Sequence, residues 1–575
     1  MTHPGAVAVR GAGWLEETRF GNLLIRQGVR VLRVLSRSSG LAAGTLIVPI
    51  EPSFDATLEA AIDLDEIGVL AHAAGIRLAA IDPIEGIVAT PIRAVRVGFY
   101  GGGGAPFNHA GILGEAGFPL RFLNDAQIRA GELATVDVLI MPGGGFRAMH
   151  GQLEPLGIDG ARKLAQWVRD GGMYIGSCAG AYDCAITSPD FVASCPPKSE
   201  LKLINASVWN EENNAGSELD GLQSPGVGVV RVRNTRPDHP VMLGLPDSFE
   251  VVHYNGPVFT LLETSEIDGA SLAEGLAAFE GRAGRFTPAE QFMGEPAGSR
   301  PTLLDRAAAS GGFSAIAGEL GTGRVVAFGS HPEFGFDLAM AEWGAPAQLL
   351  VNAVLWQASQ AKARDLSAWS YLDQPGPVVV PRGSVFAMVQ THAATLAQDV
   401  AFLRARSIDP IPGWLANEYA MSVFGLSPVE IWTQSLDAIE AFATRISALA
   451  VEIARATAGF GTSTVEREVL SQIDRWLIDE RPSIWQQDGG YQGVLALLRI
   501  AHEMCVSAVD QWGVELGPPA GPYAYFHENP FHLVAGSYLA AVGCAGGALQ
   551  LMRALKSEVT VAARRVGSPI LLRRG

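Results

Sequence analysis

Met173 to Tyr182 reads MYIGSCAGAY, a short apolar strand, a glycine-bounded turn that carries a cysteine, and a run of small residues that opens a helix. This is a nucleophile elbow in its thiol form, Gly-x-Cys-x-Gly, in which glycines two before and two after the nucleophile leave room for a sharp turn. Such a turn presents the Cys178 sulfur above the end of a sheet. The helix N-terminus behind it favours a thiolate, and the Ala179 N–H points to where an oxyanion would form. The alternative is a small cysteine buried in a glycine-rich turn.

The text on either side repeats the same grammar. Ala94 to Gly104 (AVRVGFYGGGG) is a β-branched strand entering a glycine turn, and Asp137 to Met141 (DVLIM) is a second apolar strand, ending in Pro142-Gly143-Gly144-Gly145. Ile158 to Arg169 has apolar positions at helical spacing, and Gly171-Gly172 stop that helix. Strand, glycine turn and helix in alternation predict an α/β fold with a doubly wound, mostly parallel sheet. Much later, Phe313 to Glu319 and Arg324 to Phe328 flank Leu320-Gly321-Thr322-Gly323, a hairpin that delivers Gly329-Ser330-His331-Pro332-Glu333-Phe334. A thiol nucleophile needs a base, and the base needs a partner that fixes its tautomer. His331 and Glu333, two apart and on one side of an extended segment, supply both. The Pro142 to Gly145 turn offers close backbone N–H groups as the other half of an oxyanion hole.

In this order GSCAGAY (Gly176 to Tyr182), MPGGG (Met141 to Gly145), HYNGP (His253 to Pro257) and GSHPEF (Gly329 to Phe334) resemble the class I glutamine amidotransferase-like superfamily. Within it they are most similar to the biotin-protein ligase N-terminal domain family. The resemblance spans about Arg93 to Gln360 and implies a flavodoxin-like sheet with Cys178 as nucleophile, His331 as general base and Glu333 as its orienting partner. It also implies Gly143, Gly144 and Ala179 as oxyanion donors. Glutamine-using members carry Gln four residues after the nucleophile, where this chain has Tyr182, so free glutamine is not the expected substrate. Ala179 excludes the protease-like variant that has His directly after the nucleophile. No Gly-x-x-x-x-Gly-Lys-Ser/Thr loop or Ser-Gly-Gly-x-Asp loop is present to spend released ammonia, and the text lacks a ligase catalytic domain, so biotinylation is not inferred. Tyr182, His253, Tyr254 and Asn255 are the candidate substrate-binding residues. Cys178 and His331 are far apart for this superfamily, so extra structure over the site is expected from Ser188 to Trp209 and Leu262 to Leu304.

Four segments follow. Residues 1–92 read as a small N-terminal α/β unit, with Thr45 to Ile50 and Ile76 to Ile81 as strands around an amphipathic run from Asp55 to Ala74. Residues 93–362 hold the motifs. Residues 363–383, with Gln374-Pro375-Gly376-Pro377 and Pro381-Arg382-Gly383, are a linker. Residues 384–575 are an all-α bundle of five to six helices. There, Ser427-Pro428-Val429-Glu430 is a capping box. Ile439, Phe442, Ile446, Leu449 and Ile453 form an apolar stripe, and Ser463 to Glu466 cap a helix carrying Val469, Ile473 and Trp476.

Composition removes other classes. In 575 residues, 42 Lys and Arg against 59 Asp and Glu leave a net charge of −17, a field that repels nucleic acid. Hydrophobic residues make up 48% and charged residues 18%, which is ample for several cores. Five Cys form no disulfide framework or zinc spacing, and Cys184 and Cys195 read as structural. His527 to His532 (HENPFH) matches no four-ligand pattern, and Pro530 interrupts a helix that would align its histidines. No metal and no cofactor are expected. Leu533 to Leu549 (LVAGSYLAAVGCAGGAL) is uncharged but rich in small residues, so a buried helix is expected rather than a membrane span. The opening MTHPGAVAVRGAGWLEETRF lacks a basic segment before an apolar core, and the cytoplasm is the default. The expected activity is a cysteine-dependent amidohydrolase or acyltransferase acting on a small-molecule or peptide-like amide. The other reading is a non-catalytic binding or scaffolding protein that keeps the pocket and docks a protein partner through its helical region.

Overall fold

The computed structural model describes residues 4–37, 40–52, 54–55, 63–81, 87–102, 106–143, 153–186, 201–208, 226–254, 256–288, 308–309, 311–336, 343–359, 382–405, 428–461, 464–478, 493–510 and 530–566. The first unit contains β1 (Ala6–Arg10), α1 (Trp14–Arg26), β2 (Val31–Val34), β3 (Leu46–Pro49), α2 (Leu64–Ala73), β4 (Arg77–Ile81) and β5 (Ala89–Ile92). Its strands form an antiparallel sheet in the order β4-β1-β3-β2-β5. Arg33, 2% exposed, ties this unit to the next through hydrogen bonds to Asn352 Oδ1 (2.5 Å) and the Pro240 carbonyl (3.1 Å).

The central unit opens with β6 (Val97–Tyr100), α3 (Phe107–Glu115), β7 (Leu120–Leu123), α4 (Asp125–Arg129), β8 (Val138–Met141), α5 (Leu153–Arg169), β9 (Met173–Ser177) and α6 (Ala179–Cys184). It continues through β10 (Ala206–Val208), β11 (Gly226–Asn234), β12 (Ser248–Tyr254), β13 (Phe259–Leu261), β14 (Glu274–Pro288), β15 (Phe313–Leu320), β16 (Gly323–Phe328) and α7 (Ala347–Ala358). Five strands run parallel in the order β7-β6-β8-β9-β16. Numbered within the unit, that is 2-1-3-4-5, the flavodoxin order. Side chains alternate between two cores as a pleated strand requires: Val138 and Ile140 of β8 join one apolar cluster, Leu139 and Met141 the other.

The expectation of a mostly parallel sheet holds for these five strands only. Beyond β16 the sheet turns antiparallel through β15, β14, β11 and β12. The physical reason is the connection: β15 and β16 are joined by the tight turn at Gly321 and Thr322, and a hairpin this short can only reverse the strand. The long insertion between Cys178 and His331 therefore supplies sheet, including the long β14 within Leu262 to Leu304, in addition to whatever lies over the site. Residues 187–200 and 289–307 of that insertion lie outside the described residues.

From residue 382 on, the described elements are α8 (Arg382–Arg404), α9 (Pro428–Thr457), α10 (Thr464–Ile478), α11 (Val494–Asp510) and α12 (Pro530–Val566). Pro428 opens α9, and Ile439, Phe442, Ile446 and Ile453 are buried along it. These helices share their core with the sheet. One apolar cluster runs from Val7 to Val559, and Trp476 of α10 meets Phe122 of β7 edge-on at 5.5 Å. α12 lies against α3, where a Cβ on Gly114 would sit 2.6 Å from the Ala554 Cβ, so the two helices approach as closely as small residues allow. Leu533 to Leu549 lies within α12, and its Ala541, Val542, Cys544, Ala545, Ala548 and Leu549 are buried. No helix among the described residues is long and apolar enough to cross a membrane. Residues 360–381, most of the expected linker, lie outside the described residues.

Candidate active site

β8, β9 and β16 are neighbours, with Met141 opposite Gly176 and Phe328 opposite Ser177. Pro142-Gly143, Cys178 and the Gly329 to Glu333 segment therefore leave the sheet together at its carboxyl edge, where sheets of this kind bind their ligands. Cys178 takes φ 51° and ψ −112° between β9 and α6, a conformation that non-glycine residues rarely adopt. Its N–H donates to the Phe328 carbonyl at 2.9 Å, and its carbonyl accepts from Ala181 and Tyr182 at 2.9 and 3.0 Å. Cys178 is partly exposed, whereas Cys184, Cys505 and Cys544 are buried. Burial pushes the Cys505 thiol up to about 12, and the Cys184 thiol is also raised.

Gly143 presses on this elbow. A Cβ there would sit 2.7 Å from Cys178 Cβ and 3.0 Å from His331 Cε1, so only glycine lets the β8 turn come this near. Ala179 is the first residue of α6, where backbone N–H groups have no partner within the helix. Gly144 lies outside the described residues.

His331 is buried and anchored by its N–H to the Val252 carbonyl at 2.7 Å. Its Nδ1 is 2.7 Å from Glu333 Oε1, its ring stacks on Phe334 at 4.4 Å, and it hydrogen-bonds the Cys178 side chain. With Nδ1 committed to Glu333, Nε2 remains for Cys178. Burial works to lower the His331 pKa, but the negative charges of Glu333 and Cys178 outweigh it and raise the value to about 10. Glu333 is 1% exposed. Burial would raise its pKa, yet His109 and His331 together hold it below the usual carboxylate value.

The other expected pocket residues are placed differently. Tyr182 is 1% exposed and packs in the apolar cluster beneath α6. His253, expected to line the pocket, is fully buried; its Nδ1 lies 3.1 Å from Ser330 Oγ, which is 2.6 Å from Ser314 Oγ. Burial, and then the nearby His331, lower its pKa to about 3, so it is neutral. Tyr254 ends β12, and Asn255 lies outside the described residues. His502 of α11 pairs with Asp399 of α8 at 2.6 Å, and His527 of the HENPFH segment lies outside the described residues. Among the described residues no cluster of His, Cys, Asp and Glu is suited to a metal ion.

Two buried groups carry no motif in the sequence. His109 of α3, 0% exposed, has Nε2 3.0 Å from Ser177 Oγ and 3.6 Å from Glu333 Oε1. Asp183 of α6 is 2% exposed, and neither carboxyl oxygen has a hydrogen-bond partner among the described residues. Burial, and then Cys178, raise its pKa well above the usual carboxylate value, so it is held as the neutral acid.

Residues 132–190 match the family model described as Biotin-protein ligase, N terminal, a stretch that takes in β8, α5, β9, Cys178 and α6. That is the family the four motifs resemble. No curated protein matches the chain. Similar solved structures include a thua-like protein from Bacteroides uniformis ATCC 8492, with 17% identity over 46% of this chain and 92% of that one (TM-score 0.28). A GMP synthase component from Thermoplasma acidophilum shares 15% identity over 46% and 95% (TM-score 0.26). PurLQS from Thermotoga maritima shares 11% over 46% and 98% (TM-score 0.26).

Proposed function

We propose that the central unit is a cysteine-dependent amidohydrolase or acyltransferase that works through a thioester on Cys178. The observation that carries this reading is the continuous contact from Cys178 through the His331 ring to Glu333, built at the carboxyl edge of the sheet on a strained elbow. Cys178 Sγ forms a bond to the amide carbon, and the backbone N–H groups of Gly143 and Ala179 receive the oxyanion. Collapse breaks the C–N bond as His331 gives its proton to the leaving amine. Water or an amine then attacks the thioester, losing a proton to His331, and the C–S bond breaks to restore Cys178. Glu333 holds the imidazole so that Nε2 faces the sulfur. Burial of Tyr182, at the position where glutamine-using relatives place a substrate-holding Gln, argues for an amide other than free glutamine.

The test is intact-protein mass spectrometry after brief exposure of the full chain to substoichiometric iodoacetamide near neutral pH, followed by mapping of the label. We expect Cys178 to take essentially all of it, and His331→Ala to slow the reaction at least ~10-fold, the factor that one pKa unit represents. Slow labelling spread over the cysteines, or a rate unchanged by His331→Ala, would overturn the reading.

A further inference from the structure

We propose that His109 is a positioning residue of this site, acting from α3 through its Nε2–H, which is bonded to Ser177 and faces the Glu333 carboxylate, to keep that carboxylate in line with His331. The inference rests on the Cys178, His331 and Glu333 assignment and adds a fourth member supplied by a different helix.

The geometry is specific. The His109 ring is fully buried, and its Nε2 faces two oxygens, Ser177 Oγ at 3.0 Å and Glu333 Oε1 at 3.6 Å. One belongs to the residue before the nucleophile, the other to the carboxylate that orients the base. Protonation follows from the surroundings. Burial lowers the His109 pKa, against the opposing pull of Glu333 and with His331 adding to the fall, so the ring is neutral and carries one N–H. Nδ1 has no hydrogen-bond partner among the described residues, whereas Nε2 has Ser177 Oγ at hydrogen-bond distance and the Glu333 carboxylate oxygen, which can only accept, just beyond it. A buried N–H left without a partner is costly, so the proton belongs on Nε2. Two histidines then converge on one Glu333 oxygen: His331 Nδ1 at 2.7 Å and His109 Nε2 at 3.6 Å.

His109 can position Glu333 only if α3 is itself fixed, and it is fixed on two sides. Asn22 Nδ2 of α1 donates to the Ala116 carbonyl at 2.8 Å, and Arg19 Nε donates to the Glu115 carbonyl at 2.6 Å. On the other side Gly111 and Gly114 lie against Gln550 and Ala554 of α12. Both flanking segments of the chain thus bear on the site through α3.

The test is the pH profile of Cys178 alkylation in the full chain. The titratable groups around the site are Cys178, Asp183, His253, His331 and Glu333. Wild-type protein is expected to show an upper inflection as His331 loses its proton near its raised value of about 10. His109→Leu, similar in bulk but without the N–H, is expected to lower that inflection by about one pH unit and slow neutral-pH alkylation about tenfold. His109→Gln, whose amide nitrogen replaces Nε2, should stay within about twofold of wild type, because a rescued donor leaves the coupling intact. A His109→Leu profile matching wild type, or His109→Gln failing together with His109→Leu, overturns the proposal, the second outcome assigning His109 to packing alone. If circular dichroism shows His109→Leu unfolded, His109→Asn takes its place, since its shorter amide does not reach Glu333. A wild-type profile with no inflection sensitive to His331→Ala overturns the assignment of His331 as base and His109 with it, whereas a normal wild-type profile with an unaffected variant removes only His109.

Discussion

Two carboxyl groups are buried close to the Cys178 site, and they hold opposite charge states. Glu333, 1% exposed on the segment after β16, meets two histidines and is held as the anion. Asp183, 2% exposed in the last turn of α6, has Tyr100, Tyr174, Cys184 and Cys178 as its electrostatic neighbours and is held as the acid. Burial penalises both anions alike, so burial does not decide the outcome. The partner does: His109 and His331 offset the desolvation cost on one flank, and on the other neither Asp183 oxygen has a hydrogen-bond partner among the described residues.

The comparison breaks most visibly in reactivity. Glu333→Gln removes the charge that fixes the His331 tautomer, and we expect Cys178 turnover, or alkylation as its proxy, to fall by about 10² or more. Asp183→Asn, which replaces a neutral acid by a neutral amide, is expected to change the same rate by less than about threefold, under about 1 kcal/mol on the barrier. Equal losses in the two variants would show that the two flanks do not differ as described.

Stability against pH sharpens the same contrast. Glu333 is depressed when folded, so its contribution is present above its unfolded value and is lost as pH falls through the folded one. His331 is raised when folded, so its contribution is full below its unfolded value and is lost as pH climbs toward about 10. Asp183 runs the other way. Its folded state keeps a proton that the unfolded chain releases, so it penalises folding increasingly as pH rises above the ordinary carboxylate range. Asp183→Asn should therefore raise the melting temperature at neutral pH, with the gain vanishing in acid. A gain that persists undiminished below that range would refute a neutral Asp183.

What the sequence made legible follows the same division. The parallel strands, the elbow at Cys178 and the pair at His331 and Glu333 were readable because each lies in a short motif, where glycines and β-branched residues state the backbone conformation locally. His109 was not readable. Within Phe107 to Glu115 it stands beside Asn108 in a short helix with no motif of its own, and its meaning comes from contacts with Ser177 and Glu333 that only tertiary packing creates. Asp183 was silent for the same reason, since its charge state comes from burial, and then from Cys178, rather than from a local motif. The antiparallel half of the sheet was legible only at its β15 and β16 hairpin, where the turn is local. The shared core between helices and sheet was hidden because Gly114 and Ala554 are unremarkable residues until they face each other.

The smallest expected effect concerns the point where both flanks meet. Cys178 sits at φ 51° and ψ −112° because the turn needs that conformation, and strain of this kind costs on the order of 1–3 kcal/mol. Glycine adopts it without the Cβ penalty but loses about 0.5–1 kcal/mol through greater freedom in the unfolded chain. Cys178→Gly should therefore stabilise the fold by about 1 kcal/mol by denaturant titration, while Cys178→Ala, which keeps the Cβ, should not. Both variants lose the sulfur and its bond to His331, so their difference isolates backbone strain from the loss of the side chain. If Cys178→Gly proves no more stable than Cys178→Ala, the elbow is relaxed, and the nucleophile is held in place by Gly143 and His331 rather than by the turn itself.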